Sequence, residues 1–292
     1  MTSAVAFAPG HISGFFQPIY DETNIYRTGS RGAGFSIALG AISQVSIEKN
    51  DCQKIITYVN GAAFSSPLIA ACICHLIGNQ ALKMTIRTQL DLPIRQGFGM
   101  SAASALSVAY AAATCLHIPL EKAVKAAHAA EVSFKTGLGD VIGSLRGGFE
   151  IRGKPGLPPY GVIKNMYHQC HMVLCVVDKG IATKDVLSDI QKQMIISNIG
   201  KSCTDELLED PSLEHFFSLS EKFTRRSGLA SDKIIQAIDA AKTYGMASMC
   251  MLGTSVFATG DTKKLTEALS EYGKVFVTTI DMKGVQVLTK DD

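Results

Sequence analysis

The sequence predicts an α+β protein of two domains. Its 292 residues reach the size at which a single hydrophobic core stops growing, and a composition 47% apolar and 18% charged can fill two. Strand-like segments come first and helix-like segments follow, without the regular βαβ alternation of a parallel sheet. A Gly/Pro-rich stretch, Arg152 to Gly161, is the expected linker and divides the chain into residues 1–160 and 161–292.

The elements follow in order. "AVAFAPGHISGFF" reads as a strand entering a Gly/Pro turn, and "GAGFSIAL", "SQVSIEK" and "KIITYV" as further strands. "PLIAACICHLI" is a helix stopped by Gly78. "ALKMTIRTQL" alternates as a strand, and "DLPIRQGFG" is a loop. Ser101 is then the expected N-cap of a helix running to about Leu116. A second helix starts near Pro119 and ends at Phe134, with Pro in its tolerated first turn. "GLGDVIGSLRGG" is a short helical turn between glycines, and "GFEIRG" a strand. The second half opens on the strand "CHMVLCVVD". Amphipathic helices over 184–200, 212–226 and 232–243 come next, then strands "MASMCML" and "GTSVFATG". A helix over 261–271 and strands "KVFVTTI" and "VQVLT" complete the chain.

Composition excludes several function classes. A net charge of +2 without a Lys/Arg run gives no footprint for nucleic acid, whose backbone needs clustered cations. The most apolar stretch, Leu68–Ile77, is about half the length of a membrane span and carries His75. The N-terminal "MTSAVAFAPGH" lacks the basic start of a secretory signal, so a cytoplasmic protein is expected. Eight cysteines occur without a CxxC pair, mostly in apolar runs, as free thiols in a reducing compartment would. "YHQCH" holds His168, Cys170 and His171, but on a strand His171 faces away from the other two, and no second ligand pair stands at zinc spacing.

The stretch "QGFGMSAASALSVAYAAA" (Gln96–Ala113) carries the strongest chemical signal. Gly97, Gly99 and Ala102 fit G-x-G-x-x-A, the dinucleotide pattern in its Ala form. The surroundings differ from that pattern: a Pro-containing loop precedes it, and a second helix follows where a strand ending in an acid belongs. "IGKS" (Ile199–Ser202) lacks the first glycine of a P-loop and lies in a helical pattern. Two readings remain for the glycine loop. Small residues serve close packing, or glycines ahead of a helix N-terminus let a phosphate approach its unpaired N–H groups.

Three segments together resemble a known family. "FAPGHISGFF" is similar to the first motif of the GHMP kinases, A-P-G-K-x-x-L; "PIRQGFGMSAAS" to the second, P-x-x-x-G-L-G-S-S-A; "MLGTSVFATG" to the third. They occur in the family's order and span most of the chain. Three residues depart from the pattern: His11 replaces Lys, and Phe98 and Met100 replace Leu and Ser. With "SRGAGFS" (Ser30–Ser36), these departures are similar to the archaeal members that phosphorylate pantoate on the route to coenzyme A.

The resemblance implies an N-terminal domain with a left-handed βαβ crossover, a ferredoxin-like C-terminal domain, and ATP with Mg²⁺. Gly97, Phe98, Gly99, Met100, Ser101, Ala102 and Ala103 would cradle the nucleotide phosphates. Ser101 and Glu131 would hold Mg²⁺, and Asp140 would take the proton of the acceptor hydroxyl. The bland alternatives are a solvated helix end for Glu131 and a helix cap for Asp140. For the acceptor carboxylate, Arg31 with Ser30 is the expected pair, since a guanidinium matches a carboxylate bidentately; a surface Arg in a turn is the alternative. His11 either meets substrate or phosphate or only packs, and Phe15 and Phe16 either wall the acceptor's dimethyl group or fill the core. Other acceptors (homoserine, shikimate, mevalonate), a non-catalytic nucleotide binder and a dinucleotide oxidoreductase are the competing functions. A homodimer is the expected assembly if the chain associates.

Overall fold

A computed structural model describes residues 2–180 and 190–291. Two long antiparallel strands, β1 (Thr2–Ile19) and β2 (Gly29–Lys49), form its spine. The expected turn at Pro9-Gly10 is instead a register shift inside β1, with a second between Ser13 and Phe15. Pro and Gly serve here as bulge residues that bend a strand without ending it. The two strands expected from "GAGFSIAL" and "SQVSIEK" are likewise one strand, because β1 pairs along the whole of β2.

On its other side β2 changes partner. Residues 41–49 pair with β5 (Leu82–Leu90), and residues 32–35 with β6 (Phe149–Lys154). β3 (Lys54–Val59) runs parallel to β5, and α1 (Pro67–Ile77) makes the crossover between them, capped by Ser66 and ended at Gly78. The short β4 (Ala62–Ala63) pairs with β3 at the sheet edge. α2 (Met100–Cys115) lies against β1 and β2 and is buried on nearly all sides, which is why it is built of Ala and Ser. α3 (Leu120–Phe134) packs on α1 and α2. The seven-residue α4 (Asp140–Arg146) leads into β6.

The division at residue 160 does not follow the sheets. β7 (Val162–Met166) pairs with β6, and β12 (Gln286–Asp291) returns to pair with β1, so both extend the first sheet. The Gly/Pro stretch 152–161 is the end of β6 and the β6–β7 turn and not a linker: Leu157 N donates to Tyr26 O at 2.9 Å, and the turn packs on the loop before β2.

The remaining chain forms a second sheet in the order β11-β8-β10-β9: β8 (His171–Val176), β9 (Gly245–Cys250), β10 (Ser255–Gly260) and β11 (Lys274–Thr279). With α5 (Ile190–Glu209), α6 (Leu213–Ser227) and α7 (Asp232–Lys242) before β9, and α8 (Thr262–Ser270) before β11, this is the ferredoxin-like order. The start of the helix expected over 184–200 lies outside the described residues. Phe15, Phe35, Phe149, Phe216 and Phe257 join the two sheets; Phe35 lies 5.0 Å from Phe149 and 5.2 Å from Phe257 between ring centroids. Phe15 is therefore core, as its bland reading held. No helix among the described residues is long and apolar enough to cross a membrane.

Candidate active site

A cavity of about 560 Å³ opens between the glycine loop, the β3–α1 region and the start of α4. Gly97, Phe98, Gly99, Met100 and Ser101 line it. Gly97 and Gly99 have φ of +77° and +65°, a region that side chains disfavour. Each also meets backbone: a Cβ would lie 2.8 Å from Met251 O at Gly97 and 2.8 Å from His11 O at Gly99. The loop is thus clamped between β1 and the "MLGTS" segment, and His11 N donates to Phe98 O at 3.0 Å. Small residues serve close packing here, since the glycines let the loop meet backbone and α2 is core. Ala102 and Ala103 are fully buried behind the loop and do not reach the cavity, contrary to the expectation that they touch phosphate.

Ser101 is not the helix cap. Gly99 occupies that position, and Ser101 lies one residue inside α2, its hydroxyl free of capping duty. The hydroxyl sits close to Glu131 on α3. Glu131 is 2% exposed, and neither carboxylate oxygen has a hydrogen-bond partner, so it is no solvated helix end. Burial, and then the charge of Asp140, push its pKa up to about 7, with Thr136 and Ser101 opposing. Gly137 separates the two acids: a Cβ there would lie 2.4 Å from Glu131 Oε2 and 2.9 Å from Asp140 Oδ2. Two carboxylates therefore converge beside the cavity, one of them buried without a partner. An orphaned buried carboxylate fits a hard divalent cation, whose ligands are oxygens.

Asp140 is the first residue of α4, with Gly139 as cap, and lines the cavity. Its Oδ1 meets His11 Nδ1 at 2.8 Å. His11 is wholly buried, and its Nε2 lies 2.9 Å from Glu150 Oε1. Glu150 in turn pairs with Arg152 Nη1, and Arg152 Nη2 donates to Ser13 Oγ at 3.0 Å. The glycines of "SRGAGFS" explain how these groups meet. On β2, Gly34 stands opposite both Ser13 and Glu150, and Gly32 opposite both Phe16 and Arg152. Without side chains at Gly32 and Gly34, a trench crosses β2 through which β1 and β6 exchange charged contacts. Burial alone would lower the His11 pKa, but the Glu150 charge and hydrogen bonds from Asp140 and Glu150 outweigh it, raising it to about 9. The two carboxylates thus favour the protonated imidazole.

Strand parity also corrects the acceptor residues. Ser30 shares its face with Gly32 and Gly34 and lines the cavity. Arg31 faces the other way, onto α5: Nη2 meets Asp205 Oδ1 at 2.5 Å and Nε donates to Gly153 O at 2.9 Å. It is not a cavity residue. Arg31→Ala should leave the acceptor Michaelis constant unchanged and cost about 1 kcal/mol of stability, read by steady-state kinetics and chemical unfolding. Arg95 is the arginine that lines the cavity, and Arg152 lies buried behind Gly139. A Cβ at Gly139 would lie 2.6 Å from Ser30 Oγ and 2.9 Å from Arg152 Nε, a buried nitrogen without a partner. Phe16 lines the cavity; Phe15 does not. The eight cysteines are free, and no cluster of three or more potential metal ligands occurs among the described residues.

Residues 64–148 match the N-terminal domain of the GHMP kinases. The chain is 33% identical to the pantoate kinase of Thermococcus kodakarensis, over 87% of this chain and 86% of the relative. It is 34% identical to the pantoate kinase of Methanospirillum hungatei, over 99% and 97%. A solved structure described as a phosphotransferase related to the CoA biosynthesis pathway superposes with a TM-score of 0.89 at 30% identity, over 98% of both chains. Homoserine kinase from Cytophaga hutchinsonii shares the fold, with a TM-score of 0.70 at 16% identity. The chain belongs to the pantoate kinase family of GHMP kinases.

Proposed function

We propose that this chain transfers the γ-phosphoryl group of ATP to the 4-hydroxyl of pantoate, giving 4-phosphopantoate and ADP. The observation that carries this reading is the placement of Asp140 at the cavity wall beside the glycine loop, with Oδ1 held by His11. Oδ2 is left for the acceptor hydroxyl. As the hydroxyl oxygen bonds to the γ-phosphorus and the bond to the β–γ bridging oxygen breaks, the hydroxyl proton passes to Asp140. The backbone N–H groups at the start of α2 face the phosphates. Tyr58, Phe64 and Leu90 offer an apolar wall suited to a nucleobase. Glu131 and Ser101 are the residues that would hold Mg²⁺, which neutralises phosphate charge when bound. Ser30 would meet the acceptor carboxylate, and Phe16 and Leu138 its dimethyl centre.

Incubation with ATP, Mg²⁺ and pantoate should yield ADP and phosphopantoate in equal amounts by mass spectrometry. ADP formed at the same rate without acceptor would contradict the proposal. Ser101→Ala should raise the Michaelis constant for Mg·ATP and leave thermal unfolding unchanged, since the hydroxyl caps nothing. A stability loss without a kinetic change would remove Ser101 from the metal site.

A further inference from the structure

We propose that Glu150 is a positioning residue: through His11 it fixes the carboxylate of Asp140 and holds the imidazole as a cation against it. The proposal rests on the reading of Asp140 as proton acceptor. Glu150 does not line the cavity and is 1% exposed, so any effect it has on chemistry passes through its two partners, His11 and Arg152, and the His11 titration separates the first route from the second.

The geometry leaves the imidazole little freedom. A Cβ at Gly34 would lie 2.7 Å from His11 Nε2, and one at Gly143 would lie 2.3 Å from Cδ2, so β2 and α4 sandwich the ring. Its two nitrogens face two carboxylates, Asp140 Oδ1 at 2.8 Å and Glu150 Oε1 at 2.9 Å. Both contacts are favourable only when both nitrogens carry protons. The charged groups that reach the ring are Asp140 from α4 and Glu150 and Arg152 from β6; Ser13 holds Arg152, and Ser36 stands opposite His11 on β2 with its hydroxyl on Gly143 O. Two anions and two cations balance the cluster. Arg152 Nη1 stands 3.4 Å from Nε2 and would be its donor if the imidazole were neutral. The shorter contact to Glu150 selects the other arrangement, in which Glu150 accepts from both His11 and Arg152.

The family pattern at position 11 is Lys, a cation without help. An imidazole, with an ordinary pKa near 6.5, needs an anion beside it to stay charged through neutral pH. Asp140 supplies part of that field but must itself accept a proton during turnover. Glu150 takes no part in the transfer, so it maintains the imidazolium throughout the cycle.

The test is Glu150→Gln, which keeps shape and removes charge. Nitrogen-15 NMR of the free protein reads the His11 ring, and steady-state kinetics read turnover. Wild type should titrate near pH 9. The variant should titrate at least about one pH unit lower. Its kcat should fall on the order of tenfold to a hundredfold at neutral pH, with the Michaelis constant for ATP unchanged. Glu150→Asp, which keeps the charge, should hold the His11 titration near wild type and recover part of the lost kcat. Unchanged titration and kcat in Glu150→Gln would overturn the proposal. If that variant does not fold, a neutral His11 in wild type at pH 7 would overturn it. The NMR reading does not depend on the acceptor, so failure of the substrate assignment and failure of this inference are separable.

Discussion

Asp140→Asn is expected to lower kcat by on the order of a hundredfold to ten-thousandfold, the range for loss of a positioned general base. Nucleotide affinity should stay unchanged, because the glycine loop and Glu131 are untouched. The side chain also holds Nδ1 of the buried His11, so the substitution has a structural cost. His11 keeps Glu150, and the loss of one charge-assisted hydrogen bond should cost about 1.5–3 kcal/mol. The His11 titration should fall from about pH 9 as one of its two carboxylate partners becomes neutral. That contribution to stability is complete below pH 6.5 and is lost as pH rises through 9, so wild type and variant should converge in stability at high pH. Rapid-quench phosphoryl transfer, titration with a fluorescent nucleotide and unfolding at several pH values read these effects. Near-normal transfer by the variant would remove Asp140 from the reaction.

Glu131→Gln is expected to act in opposite directions on activity and stability. The carboxylate is buried, unpartnered and raised to about pH 7. Between its ordinary pKa of 4.5 and 7 the folded chain binds more protons than the unfolded chain, so stability falls as pH climbs through that window. Above pH 7 the full penalty stands, on the order of 3 kcal/mol. The neutral amide removes it, so the metal-free variant should unfold at higher temperature than wild type at pH 8 and gain nothing near pH 4. The same change should weaken Mg²⁺-dependent nucleotide binding and lower kcat by on the order of a hundredfold, since a cation loses an anionic ligand. Differential scanning calorimetry and nucleotide titration with and without Mg²⁺ test both halves. A variant less stable at pH 8 would mean that Glu131 is satisfied without a cation.

The parts of the site legible in the sequence are those whose chemistry is local. A glycine loop ahead of a helix and an Asp after "GLG" are contiguous patterns, and the structure brings both to one cavity. What depends on strand geometry was misread. Ser30 and Arg31 are neighbours in the chain, but a strand sends them to opposite faces, so only Ser30 reaches the cavity. The alternation Ser30, Gly32, Gly34 carried that information, and the two glycines signalled a crossing of side chains over β2. Glu150 and Arg152 were missed because their partner His11 lies about 140 residues away, in pairings that no local pattern encodes. Long-range pairing also moved the domain division, since β7 and β12 rejoin a sheet begun far upstream. Ser101 has no cap role because Gly99, in the left-handed region, ends the loop two residues earlier.

The identity of the acceptor is tested most directly by catalytic efficiency across a panel. Pantoate, homoserine, shikimate and mevalonate would be supplied at equal concentration with Mg·ATP. On the proposed reading, a site with Ser30 for a carboxylate and Phe16 and Leu138 for a branched apolar centre would offer homoserine's ammonium no anion besides Asp140. Unpaired buried polar groups discriminate strongly. Mevalonate offers a carboxylate and a primary alcohol, but its longer chain displaces that alcohol from Asp140, and small displacements slow in-line transfer. Pantoate should exceed each of the others in kcat/KM by about a hundredfold or more. Equal or higher efficiency with mevalonate or homoserine would contradict the assigned acceptor.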